Sequence, residues 1–332
     1  MTSSTPGEYR DRTTGLLVFG IFEILLGGGC LLMAAFTFLG GLVAAHAGAA
    51  GVPLRALAPA LGIYLLSGAV MIWLGIGSTL ARRWARALWV CLSGGGLVMG
   101  VISLPFGVLV AANMPRQMAA SGQGELPPAA LLVAQVAMVG FMVIFYLVIP
   151  GAIFLFYRSP HVRRTCEAKD PVERWTDRCP LPVLALSLFA GFGGFCLLSL
   201  LGFGGFFPVF GTFATGLWGS ALVLLTGGAM LGCAWGLYRL RIGAWWGLFS
   251  LMLILSASSG LTLWHADLGE LYARMGFNSQ MAAAAAQFGQ TGIMRWSAPA
   301  WGLPWIVALL WIRRSVVKAP AEPPDPGSGF RV

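Results

Sequence analysis

Charge is scarce in this chain. Only 10% of its 332 residues are Asp, Glu, Lys or Arg, against about 25% in ordinary soluble domains. So few charges cannot cover a surface that faces water. Histidine occurs three times and the acids number 12, so there is little from which to build a metal site or an acid–base pair. There is no Cys-x-x-Cys pair. The triplets Gly27-Gly28-Gly29 and Gly94-Gly95-Gly96 sit inside apolar runs and match neither dinucleotide-binding nor P-loop spacing. These gaps exclude a soluble globular fold. They also leave no catalytic constellation, so neither enzyme activity nor a cofactor is expected.

What the chain does have is long apolar runs, with hydrophobic residues at 58%. A bilayer core of about 30 Å needs about 20 apolar residues in a helix. Runs of that length occur near 15–45, 57–80, 86–112, 129–157, 182–208, 216–238, 244–266 and 297–312. They show no alternation of polarity, which argues against a barrel, and an open sheet would leave peptide groups unpaired in lipid. The expected fold is all-α, a polytopic membrane protein of about eight spans. The first run follows Arg10 and Arg12 as a secretory signal would, but it is far longer than the 7–15 apolar residues of such a signal.

The formal net charge of +9 is a matter of placement. Segments before span one, after every even-numbered span and after span eight carry 17 Lys or Arg, while the alternate loops carry 4. By the positive-inside rule both termini are cytoplasmic, and the protein belongs in the plasma (inner) membrane. The expected partners are the bilayer with anionic headgroups and other membrane subunits, with no nucleic acid.

The two halves resemble each other. Gly27-Gly28 and Cys30-Leu31-Leu32 match Gly193-Gly194 and Cys196-Leu197-Leu198. Leu65-Leu66-Ser67-Gly68 matches Leu224-Leu225-Thr226-Gly227, and Gln117-Met118-Ala119-Ala120 recurs at Gln280-Met281-Ala282-Ala283. Matches in one order point to duplication of a whole unit. With an even number of spans per unit, the two tandem repeats of four helices run parallel. The organisation expected is a first membrane unit at 1–157, a cytoplasmic connecting loop at 158–182 with a short amphipathic helix, a second unit at 183–318, and a disordered tail at 319–332.

Glu23 is the one acid well inside a span. Counting from Gly15 puts it about 12 Å deep, where a carboxyl is stable only neutral or paired. Ser67 and Ser259 are its candidate partners. Span seven carries Ser256, Ser258, Ser259 and Thr262 at helical spacing, a strip that suits a polar path or, more simply, close helix packing. Asp170-Pro171-Val172-Glu173 carries the marks of a helix start, which would place Trp175 on the headgroups. His161, Cys166 and Cys179 share that loop and are weak zinc candidates; without a fourth ligand, reduced thiols are the simpler reading. His46 and His265 lie at outer span ends without counterparts in the other half. Arg82, Arg83, Trp84 and Arg86, with Arg239, Arg241, Trp245 and Trp246, read as anchors at the lipid interface.

Function follows only coarsely. A non-catalytic accessory or scaffold subunit acting by helix and lipid contacts fits the sparse intramembrane polarity. A small-solute transporter or channel, with its path between the repeats and Glu23 as coupling residue, is the alternative.

Overall fold

The computed structural model describes residues 10–46, 54–120, 127–275, 279–290 and 293–317. The expected tail 319–332 lies outside the described residues. In chain order the elements are α1 (Thr13–His46), α2 (Leu54–Thr79), α3 (Arg83–Ala120), α4 (Pro128–Val143), α5 (Ile149–Arg158) and α6 (Pro160–Lys169). Then come α7 (Leu181–Leu198), the strands β1 (Phe207–Val209) and β2 (Thr212–Ala214), α8 (Gly216–Tyr238), α9 (Ile242–His265), α10 (Leu268–Arg274), α11 (Ser279–Gln290) and α12 (Ile293–Val317). A π-helical turn, Ile144–Val148, joins α4 to α5 into one rod. Pro150, at the start of α5, has no N–H to continue the α ladder, which suits the wider turn before it.

Among the described residues, seven helices are long and apolar enough to cross a membrane: α1, α2, α3, the α4–α5 rod, α7, α8 and α9. The chain is a multi-pass α-helical membrane protein. Helix α12 stands apart from the seven, with Arg295 near its start and Arg313 and Arg314 near its end.

Small residues set the helix spacing. Gly27 faces Gly68 and Gly20 faces Gly75 across α1 and α2, so closely that an added Cβ would meet the opposite backbone oxygen. Gly194 and Gly227 face each other across α7 and α8 in the same way. Backbones this close gain dispersion contacts that larger side chains would forbid. Helices α2 and α8 end alike, with Ala81 and Leu240 in the left-handed region at φ 52° and 57°. In each case the next residue's N–H reaches back to a glycine carbonyl, Gly77 or Gly236. That closure caps the helix end and turns the chain sharply into the next helix.

Two large hydrophobic cores result, beside a smaller cluster of Phe206, Leu268, Leu271 and Ala285. One gathers Leu16, Leu74, Leu88, Ile153 and Tyr157 with Val162 and Cys166 of α6. The other gathers Val183, Leu237, Trp245, Leu248, Leu309 and Ile312. They meet through α3 and α7, where Cys91 Sγ reaches the Leu181 carbonyl at 3.5 Å.

Three details differ from the sequence expectation. Span five ends at Phe203, because Gly204 and Gly205 take positive φ and lead into the β1–β2 hairpin. The connecting segment is helical earlier than expected, over Pro160–Lys169, and Asp170 ends that helix. Asp170 is committed to arginines: Arg174 binds it twice, at 2.7 and 3.1 Å, and the Arg83 N–H donates at 3.3 Å. A short 3-10 turn follows at Trp175–Arg178, where Asp177 accepts the Arg174 N–H at 2.9 Å. Trp175 docks on α8 through its carbonyl, which accepts from the Tyr238 hydroxyl at 3.1 Å.

Candidate functional site

Glu23 projects from α1 into the first core and is fully buried, with 0% exposure. Its environment is made by the ends of three other helices. The Tyr157 hydroxyl, one residue before the basic end of α5, donates to Glu23 Oε1 at 2.8 Å. The same hydroxyl lies 2.8 Å from Ser78 Oγ near the end of α2. A phenol has one proton, so with that proton on Glu23 the Ser78 hydroxyl donates to Tyr157. From α3, Trp89 stacks near Tyr157 at 6.2 Å between ring centroids, and its buried indole nitrogen has no hydrogen-bond partner among the described residues. Glu23, Ser78, Trp89 and Tyr157 thus form one polar cluster inside an apolar core.

The expected partners of Glu23 are corrected. Helix α1 has 34 residues, about 51 Å, and overruns a core of about 30 Å, so counting from its start does not locate the bilayer. Glu23 meets Tyr157, the residue before Arg158, and through it Ser78, four residues before Arg82. Ser67 and Ser259 are half-buried elsewhere and take no part.

The span-seven hydroxyls hold structure together. Ser258 Oγ accepts from the Phe210 N–H at 3.0 Å and donates to the Pro208 carbonyl at 2.8 Å. Thr262 Oγ1 accepts from the Gly211 N–H at 3.0 Å. These bonds satisfy the exposed peptide groups of the β1–β2 turn. Ser256 faces Gly302 of α12, where a glycine is required for the helices to approach.

Among the expected interface anchors, Trp245 is not one. It is buried at 1% exposure, and its indole N–H donates to the Leu309 carbonyl at 2.8 Å. An aromatic ring whose donor finds a partner on the facing helix belongs to the core. Trp246 is half exposed, and the Arg313 guanidinium lies over both rings. Arg239 is exposed and lies over Trp235 at 4.9 Å, and Arg241 is exposed. Trp84 stacks on Trp73 at 4.2 Å. Arg82 and Arg83 are tied to the connecting segment, through Asp170 at 3.7 Å and Asp177 at 3.5 Å. Arg86 is half-buried, with its Nε unpaired among the described residues.

His161, Cys166 and Cys179 are not brought together. Cys166 lies in the first core and Cys179 in the second, while His161 Nδ1 accepts from the Arg10 N–H at 3.3 Å. Burial pushes both thiols up to about 11, which disfavours the thiolate a metal would need. His46 and His265 each bond the carbonyl four residues back in their own helix. The Asp170 carboxyl is held below the usual carboxylate range, first by its hydrogen bonds from Arg174.

A cavity of about 530 Å³ lies between the two cores, bounded by α3, α5, α7 and α12. Its walls are apolar, including Val98, Phe189 and Trp305, and Arg158 is the one charged residue on it among the described residues. Glu23 does not line it. No protein-family model matches the chain, and no curated protein or solved structure is significantly similar to it.

Proposed function

We propose that this is a non-catalytic accessory or scaffold protein of the plasma membrane, acting through helix and lipid contacts. The observation that carries this reading is where the polar groups go. Glu23, Ser258 and Thr262 are spent on contacts within the chain, while the cavity between the cores presents hydrocarbon. A transport path between the halves would need polar groups on those walls, and Glu23 does not line them.

The finer architecture belongs to the same proposal. It comprises eight spans, with α12 as the last, in two tandem units of parallel orientation and both termini on the cytoplasmic side. Support for the duplication comes from packing. The close pair Gly27 and Gly68 has a counterpart in Gly227 and Gly194, one residue past the aligned Gly193; the turn at Ala81 is mirrored by that at Leu240, and the approach of Gly77 to Ala85 by that of Gly236 to Ala244. On the sequence register Glu23 corresponds to Phe189, and Ser78, Trp89 and Tyr157 correspond to Leu237, Leu248 and Ile312, all apolar. One unit therefore carries hydrogen bonds where the other carries hydrocarbon, which gives the polar cluster a latching role in the first unit.

Reconstitution into liposomes tests the reading. No proton or small-ion flux above that of empty vesicles is expected. A protein-dependent flux that Glu23→Gln abolishes in folded protein would overturn it in favour of transport.

A further inference from the structure

We propose that the cavity between the two cores is a binding site for one anionic phospholipid, with its phosphate on Arg158 and an acyl chain along α3. This deepens the contact reading above and rests on it. Along α3 the cavity runs from Val90 to Ile102, about 18 Å at about 1.5 Å per residue. That matches one leaflet, half of a hydrocarbon core of about 30 Å. The walls along this length are apolar, as a chain requires. The charge lies at one end only. Arg158 closes α5 at the basic side of the molecule, the depth of the headgroups.

Arg158 is also free to take an outside anion. Arg82, Arg83, Arg163 and Arg174 are each paired with a carboxylate. Arg158 instead lies over the Phe154 ring at 5.6 Å, and no carboxylate of the described residues pairs with it. A planar guanidinium braced against an aromatic ring keeps its remaining donors for a phosphate. A zwitterionic lipid fills the same apolar walls and offers a phosphate, but its own ammonium offsets that charge beside the guanidinium. The site therefore selects by headgroup charge.

Native mass spectrometry of the full chain in mild detergent, offered phosphatidylglycerol or phosphatidylcholine of identical chains, tests this. One bound phosphatidylglycerol is expected, preferred about fivefold, the worth of one basic residue at the headgroup level. Arg158→Gln should abolish the preference while retaining either lipid weakly. Ala185→Phe, which fills the cavity, should lose both, and Arg239→Gln, outside the cavity, should change nothing. Soluble glycerol phosphate should not displace the lipid. An unchanged preference in Arg158→Gln, an equal loss in Arg239→Gln, or displacement by glycerol phosphate would overturn the proposal. Thermal unfolding of each variant checks that it is folded. The liposome flux assay does not depend on this site, so the two proposals fail separately.

Discussion

Replacing Tyr157 with phenylalanine removes a single oxygen from the centre of the Glu23 cluster. Glu23 Oε1 then loses its donor at a position with 0% exposure, where no solvent can replace it. Leaving a buried acceptor without its donor costs about 1–3 kcal/mol. Ser78 also loses its partner, but its hydroxyl can turn back to the Leu74 carbonyl one turn earlier, so it adds little. The expected destabilisation of Tyr157→Phe is therefore about 1–3 kcal/mol. Adding Glu23→Leu removes the stranded carboxyl too, and the second unit's apolar set shows that hydrocarbon can fill such a site. The double variant should be less destabilised than the sum of the singles by about 1 kcal/mol or more. Thermal unfolding in mild detergent, followed with a thiol-reactive fluorophore, reads this directly, because Cys91, Cys166 and Cys179 are free and buried until the chain opens. A Tyr157→Phe protein within about 0.5 kcal/mol of the parent, or strictly additive variants, would refute the latching role.

Two further outcomes follow from packing and charge. Gly27→Ala should lose about 1–3 kcal/mol, because the new Cβ would lie 2.8 Å from Ile72 Cγ1 and 2.9 Å from the Gly68 carbonyl oxygen. Gly28→Ala meets nothing within 4 Å and should be neutral or gain about 0.5–1 kcal/mol; the same unfolding assay separates the two. Asp170→Asn should loosen the connecting segment by about 1–3 kcal/mol at neutral pH. Because the Asp170 carboxyl is held low when folded, its contribution is present above the ordinary carboxylate range and is lost as pH falls below it. Limited proteolysis between Asp170 and Cys179 across that range checks the sign.

The membrane-spanning character of the chain was legible because it depends on composition and run length, which are properties of the linear sequence. The seven long helices begin and end within a few residues of the apolar runs, apart from the early stop of span five at Gly204. The helix of the connecting segment was misplaced because Asp170-Pro171 carries local capping chemistry, while the Asp170 carboxyl is taken up by the nearby Arg174 and by Arg82 and the Arg83 backbone N–H from the start of α3. Glu23 was legible as an unusual residue, since an acid in an apolar run needs no alignment to notice. Its partners were not. Tyr157 is 134 residues away and Ser78 is 55 away, and nothing local marks either as facing an acid. Periodicity says that Trp245 is at a span end, but only the arrival of Leu309 on the facing helix turns it from an anchor into a core residue. The linear sequence determined that helices cross lipid and roughly where each begins, because those choices are settled by hydrocarbon length and backbone hydrogen bonding within one segment. Which faces meet was decided by glycine contacts between segments. Those contacts brought the Glu23 cluster together and left an apolar cavity with one arginine between the halves.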